Sequence, residues 1–565
     1  MARVFQHVAG AHPRYSAFDL SHSKQFNCDM GQLIPILFEE CIPGDRFSLG
    51  ASFVLRMEAM VKPIMHSIKI KADYFFISSR HIMNEKTMRD LGDVGTWEQF
   101  MTGGQEGPQA DGSDEIPLPL WNNPSGGFKK YSMADYFGLP LGVNIPNDLK
   151  PISFPKRCMN LVWNEHYRDQ DLQDEVSLDS DELLYRNWSK DYFTISRPWQ
   201  LRGDPPALPL TGLGHAIWNY DNFDTAIGRT TVAGGGVDGA LLTVYRDPNS
   251  PTVGAYGGYK IGTWSPVVND EYYNVSAVAS GMSPMFDTAM RQQPNNQITD
   301  RMKIASVFGN NSIDMSGAGT FNVSDIRLAF RLQEWMERNA RGGARYTEFL
   351  VHQYGVRARD YRLQRPEYIG GLRENVVVSE VLQTSETSSN SQQGNVSGHG
   401  ISASQTNVGK YYVPEHGYIL GIMSIVPEPV YYQGVPKQLL RRTRYDFPND
   451  LFTHLSEQPI LNGELCVTGN ELYDKGFFGY QGIYDEMRQH NNMVCADMRD
   501  VQDYWNLARQ FDRNSPPKLN AEFVSTKGTI RKDIFIVNDE PGFVVNWGNN
   551  IRAVRPLPII ATPRT

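Results

Sequence analysis

A mainly β chain carrying large loop and helical insertions is predicted by three observations. Turn-forming residues are abundant, with 50 glycines and 34 prolines in 565 residues, which favours many short strands over long helices. Runs of strand length, bounded by Gly, Pro and Asp, recur at Leu33–Cys41, Phe47–Met57, Ile68–Ile77, Val376–Leu382 and Tyr411–Glu428. One stretch alone, Phe321–Gly371, joins a strong helical period to glycine stops and a dense set of arginines.

Composition sets the outer limits. With 40% hydrophobic and 11% aromatic residues the chain can bury a large core, and wholesale disorder is excluded. A formal net charge of −9 argues against a protein that coats nucleic acid over its whole surface, because counterion release needs a basic footprint. Any such contact is local. No apolar run is long enough to cross a bilayer, and Met1–Gly10 lacks the apolar core of a signal peptide. A soluble chain with no membrane insertion is expected. Five cysteines, Cys28, Cys41, Cys158, Cys466 and Cys495, are scattered with no CxxC pair. They predict reduced, buried thiols, with neither a disulfide framework nor a zinc site.

Along the chain, Pro43, Gly44 and Asp45 supply the turn between the first two long strands, and Lys62 with Pro63 interrupts the approach to the third. From Trp97 to Pro155 the sequence is loop-like apart from a short helix at Met133–Phe137, and Cys158–Trp188 holds a second helical region. Glu165 and His166 are adjacent there. They project in different directions on a helix, and no second histidine stands four residues away, so they are not read as a metal site. Residues 205–296 are rich in Gly, Pro, Asn and Tyr, and a structureless loop of that length is improbable inside a compact domain. Leu241, Val244, Tyr245, Tyr259, Ile261 and Trp264 predict small strands of its own.

Within Phe321–Gly371, Ser324 is the expected N-cap. Ile326, Ala329 and Phe330, with Leu328, Leu332 and Trp335, give the helix a wide apolar face that predicts burial. Gly342 and Gly343 end it. A second short helix carrying Tyr346, Phe349 and Leu350 stops at Gly355, a natural left-handed position. Arg357, Arg359, Arg362 and Arg365 then interleave with Tyr361 and Leu363, as in an extended segment with its arginines on one face. Two readings stand there, solvated or ion-paired charges and a phosphate-contacting face. Beyond Val376–Leu382, Gln383–Gly400 is polar and reads as a loop, and Tyr411–Glu428 reads as one strong strand. The densest basic cluster follows: Lys437, Arg441, Arg442 and Arg444 beside Tyr445.

Motifs for catalysis are missing. There is no GxxxxGK[ST] or HExxH, the nearest approach to GxSxG ends in Met285, and Gly212–Gly214 lacks a third glycine. Neither an enzyme nor a cofactor is expected. The alternative class is a carbohydrate-active β-sandwich, a lectin or glycosidase, suggested by the Tyr and Trp content of the insertion.

Several long segments carry a family resemblance. ARGGARYTEFLVHQYGV at Ala340–Val356 and DYRLQRPEYIGG at Asp360–Gly371 resemble major capsid proteins of the microviruses, small icosahedral single-stranded DNA phages, most closely the gokushovirus branch. AFDLSH at Ala17–His22, PGDRF at Pro43–Phe47, YFFISSRHIM at Tyr74–Met83, DYFTISRPWQLRGD at Asp191–Asp204, VPEHG at Val413–Gly417 and YWNLARQF at Tyr504–Phe511 extend the likeness, as does the basic, proline-rich terminus Val545–Thr565. Two departures are small. Ile77, Ser78 and Ser79 stand where the family more often has VP, and Gly482 replaces the usual Glu of FGYQE.

The resemblance implies an eight-stranded antiparallel jelly roll of viral capsid type, in sixty copies forming a T=1 icosahedral shell around a circular single-stranded DNA genome. It implies scaffolding and DNA-pilot proteins and a bacterial cell-surface receptor as partners, assembly in the host cytoplasm, and residence in the virion. The chain then divides into an N-terminal arm with the first strands (1–80), a loop and helical insertion (81–204), a surface insertion forming a threefold protrusion (205–300), the hairpin, arginine segment and polar loop (301–410), and the remaining strands with a tail unsuited to helix (411–565). DNA-contact candidates are Lys437, Arg441, Arg442, Arg444, Tyr445, Arg552, Arg555 and Arg564, each with an intersubunit ion pair as the alternative. Subunit-interface candidates are Trp335, Arg345, Tyr346, Arg357, Arg359, Arg362 and Arg365. Protrusion candidates are Tyr245, Tyr256, Tyr259, Trp264, Tyr272 and Tyr273.

Overall fold

The computed structural model describes residues 14–83, 96–102, 118–206, 215–217, 241–247, 258–264, 312–314, 323–382 and 396–560. The chain divides into two compact units, residues 1–205 with 333–565, and residues 206–332. Its strands are β1 (Ser16–Asp19), β2 (His22–Cys28), β3 (Ile34–Cys41), β4 (Arg46–Met57) and β5 (Ile68–Ser78), then β6 (His215–Ile217), β7 (Leu241–Asp247), β8 (Gly258–Trp264) and β9 (Ser312–Asp314) in the second unit. The first unit resumes with β10 (Glu367–Asn375), β11 (Val377–Leu382), β12 (Val396–Tyr412), β13 (Gly417–Pro427), β14 (Val430–Tyr431), β15 (Glu457–Leu461), β16 (Phe477–Gly482), β17 (Asn492–Met493) and β18 (Phe543–Arg555).

Two antiparallel sheets dominate the first unit. One runs β1-β18-β4-β12-β11 with β2 also on β18, and the other runs β10-β5-β13-β3. Alternation explains their packing. β4 buries Phe47, Leu49, Ala51, Phe53, Leu55 and Met57, and these share one core with Val545 and Trp547 of β18, Ile70 and Ala72 of β5, and Ile419, Met423 and Ile425 of β13. Trp547 is fully buried and stacks on Phe53 with ring centroids 5.2 Å apart. Every residue of β13 is buried, because the four-stranded sheet is covered on both faces; hence its near-continuous apolar sequence.

The outer cover is the helix Phe154–Val162, which continues as one π-helical turn, Trp163–Tyr167. It packs with Trp121, Phe128 and Met133 on Phe75, Ile77, Leu420 and Ile422. Arg157 is 1% exposed and is held by both carboxylate oxygens of Asp179, at 3.0 and 2.9 Å, and by the Ile82 carbonyl. At the turn before β4, Gly44 has φ +97°, and a Cβ there would lie 2.9 Å from the Tyr15 hydroxyl. Only glycine fits. The second unit contains two antiparallel pairs, β6 with β9 and β7 with β8.

Several sequence expectations are corrected. The long helix spans Val323–Gly342, so Ser324 lies in its first turn and is not the N-cap. Its apolar face is not buried: Leu328 is 67%, Phe330 71% and Trp335 47% exposed, and among its residues Asn339 and Ala340 alone are buried. Apolar periodicity reports a face that seeks a partner, and among the described residues burial is confined to the C-terminal end of this helix, at Asn339 and Ala340. The arginine segment is not extended. Asp360–Leu363 is a 3-10 turn closed by Gln364 at φ +55°, favoured by Asp at its first position and by Pro366 beyond it. Tyr411–Glu428 is two strands, since Pro414 lacks an N–H and the chain turns before β13 begins. Val396–Gly400, assigned to the polar loop, belongs to β12 and pairs with β11; residues 383–395 lie outside the described ones. Cys495 is exposed and the other four cysteines are buried. Finally, residues 545–555 are not tail but an inner strand, paired on both sides.

Candidate nucleic-acid and subunit-contact surfaces

Pro436 starts a short 3-10 turn, Lys437–Leu439, that aims Lys437 inward. Its ammonium donates to the Pro459 carbonyl at 2.9 Å and to Glu464 Oε1 at 3.1 Å; the Glu464 side chain is buried and also accepts from the Tyr192 hydroxyl at 2.8 Å. Arg441 does the same for buried Glu486, at 3.2 Å, with its guanidinium over Phe447. A buried carboxylate without its cation is costly, so these two charges neutralise the interior.

Arg442 and Arg444 are different. Both are exposed. Asp446 Oδ2 accepts from the backbone amides of Arg442 and Thr443, each at 2.7 Å, which fixes the turn Arg444–Asp446. Arg444 lies 4.7 Å over the ring of Tyr445, which is 60% exposed. Beside it a cavity of about 540 Å³ is lined by Arg441, Tyr445, Phe452 and Tyr484 among others. The arrangement presents two cations and an aromatic ring to solvent, the chemistry of single-strand contact.

On β18, Arg552 is exposed. Arg555 instead pairs with Glu39 and with buried Asp45 and lies over Phe47. Arg564 lies outside the described residues.

In the hairpin, the second helix spans Tyr346–Tyr354 and ends on Gly355 at φ +69°. Arg345, just before it, donates to the Arg168 carbonyl at 2.7 Å and pairs with Glu348 at 3.6 Å. Arg365 donates to His166 Nδ1 at 2.9 Å and to Thr347 Oγ1 at 3.3 Å, and pairs with Asp360. Because the guanidinium can only donate, Nδ1 must accept, and His166 Nε2–H faces the Pro366 carbonyl at 2.9 Å. Burial, with Arg365 beside the ring, pushes His166 down to about 3. Its partners make it a neutral strut rather than a ligand. Among the described residues no three His, Cys, Asp or Glu side chains cluster to hold a metal ion. Arg345 and Arg365 therefore tie the hairpin to the 166–168 turn, whereas Arg357, Arg359, Arg362, Trp335 and Tyr346 are exposed. Tyr245, Tyr259 and Trp264 stand on the paired strands β7 and β8; Tyr256, Tyr272 and Tyr273 lie outside the described residues.

One group was missed from sequence. Lys69, Lys71 and Asp73 sit on the face of β5 opposite the buried Ile68, Ile70 and Ala72, and the cations of two distant segments join them. The signal was present as the strict alternation of IKIKAD.

Residues 6–565 match the family described as Capsid protein (F protein). Capsid protein VP1 of Chlamydia phage 1 is 30% identical over 619 residues, covering 100% of this chain and 98% of the relative. The proteins of the same description from Bdellovibrio phage phiMH2K and Spiroplasma virus 4 are 28% and 26% identical, covering 99% and 100% of this chain and 97% and 98% of the relatives. A match of that extent leaves no room for the carbohydrate-active alternative, and the chain belongs to the phage capsid protein (F protein) family.

Proposed function

We propose that this capsid protein, a structural protein and not an enzyme, assembles as sixty copies into a T=1 shell around a circular single-stranded DNA genome, with an eight-stranded antiparallel jelly roll as its wall. The order of the strands is the observation that carries the jelly roll. With β1 and β2 taken as one interrupted strand and β11 as an addition at the edge, the eight strands in chain order are β1/β2, β3, β4, β5, β10, β12, β13 and β18. One sheet then holds the first, eighth, third and sixth, and the other the fifth, fourth, seventh and second, the interleaving that two Greek keys produce. Residues 206–332 enter between β5 and β10 and form a separate unit, which supports their reading as a protrusion that meets the cell-surface receptor. Scaffolding and DNA-pilot proteins act during assembly in the host cytoplasm. Trp335, Tyr346, Arg357, Arg359 and Arg362 are the subunit contacts this reading retains, because they are exposed.

For the genome, Arg442, Arg444 and Tyr445 are the favoured contacts, with Arg552. Arg442→Gln with Arg444→Gln should leave shells forming while the fraction of DNA-filled particles falls several-fold, measured by sedimentation and the 260/280 nm ratio of the particles. Shells that fail to form at all would make the pair structural.

A further inference from the structure

Outside the sandwich core, the four-stranded sheet carries a cavity of about 930 Å³ between β5, the segments 166–171 and 186–190, and residues 340–348. Its lining holds nine Lys and Arg against five Asp and Glu. Most of those cations are matched: Lys69 with Glu428, Arg186 with Asp73, Lys190 with Asp169, and Arg197 with Glu457. Lys71 and Arg373 differ. They stand directly opposite each other in the β5–β10 register, and among the described residues neither forms an ion pair. Lys71 donates to the Ser189 hydroxyl at 2.9 Å. Like charges facing across a ladder oppose pairing, and burial, followed by Arg186, Arg373 and Lys69, pushes Lys71 down to about 8. The folded chain thus maintains an unbalanced positive pair at the wall of an open cavity. On the same strand as Arg373, Tyr368 lines the cavity and is 50% exposed, its ring edge-on against Phe75 at 5.5 Å.

We propose that this cavity binds single-stranded nucleic acid, Lys71 and Arg373 receiving a backbone phosphate and Tyr368 stacking on an unpaired base. The inference rests on the reading of the chain as a shell around a single-stranded genome, and it names a contact distinct from the Arg442–Tyr445 surface. An acidic peptide would balance the charge but leave the exposed ring without a role, whereas cations beside an aromatic face suit an unpaired strand.

The test is binding of a fluorescent oligo(dT) to the full-length protein over a range of salt concentrations. Single-strand affinity falls with salt by about 0.7 in log–log slope per phosphate contact. Lys71→Gln with Arg373→Gln should therefore flatten the slope by about 0.7, while Lys71→Arg keeps it. Tyr368→Leu should weaken binding about tenfold and leave the slope alone. The double variant removes a like-charge pair, so its Tm should equal or exceed that of the parent, and Tyr368→Leu changes no charge should the double variant misfold. A wild-type protein that does not bind oligo(dT) would sink the genome reading together with this site. Binding whose slope and affinity ignore all three positions would sink the site alone. Displacement by inorganic phosphate beyond the effect of equal ionic strength, with Tyr368→Leu silent, would mark a free-ion site; better competition by poly-glutamate would mark a peptide site. Either result overturns the proposal.

Discussion

Trp547→Ala should destabilise the folded chain by about 3–5 kcal/mol, the usual cost of removing a fully enclosed aromatic side chain. The indole is stacked on Phe53 in the shared core, on a strand that pairs with β4 along one side and with β1 and β2 along the other. Its loss leaves a void where two sheets meet, and neighbouring backbone held in ladders cannot collapse into it. Urea denaturation of the unassembled protein is the measurement. Tyr445→Ala, at an exposed position, serves as the control and should change stability by less than about 0.5 kcal/mol. A Trp547→Ala effect no larger than the control would mean that β18 is not an inner strand.

Trp335→Asp combined with Tyr346→Asp should leave the isolated subunit folded, within about 0.5 kcal/mol for each exposed site, and should abolish shell formation. Both residues are exposed, 47% and 64%, and Trp335 stands on the helix Val323–Gly342, whose apolar stripe includes Leu328 and Phe330. Exposed apolar patches of this kind mark contact surfaces, and in a closed shell the neighbouring copy is the partner at hand. Each aspartate would place a charge where a dry contact is required. Sedimentation velocity distinguishes the outcomes: a folded, slowly sedimenting subunit is expected. Shells of normal yield would show that the hairpin face is not an interface.

How much of this was legible in the sequence depended on whether local pattern and tertiary role agreed. β4 alternates strictly and β13 is apolar throughout, so both were found, as was the hairpin stop at Gly355. β18 was hidden because Gly548, Asn549 and Asn550 interrupt its apolar alternation and the stretch Val545–Thr565 read as a basic, proline-rich tail. Asn549 nevertheless points inward because its side-chain amide donates to the Ile36 carbonyl at 2.9 Å, a long-range bond that no local pattern announces. The helix Val323–Gly342 was legible as amphipathic, yet amphipathicity cannot say whether the partner is the same chain or another. Charge density misled in the same way. Lys437 and Arg441 looked free in sequence because Glu464 and Glu486 are 27 and 45 residues away, and Lys71 drew no notice because Arg373 reaches it only through the sheet register.

The central claim, that this chain builds a closed shell, is tested most directly by size-exclusion chromatography and negative-stain microscopy of the protein purified from expressing cells. Hollow or DNA-filled particles of uniform diameter, millions of daltons in mass and composed of sixty copies, are expected. A stable single-chain species that forms no particles under any assembly condition would contradict it.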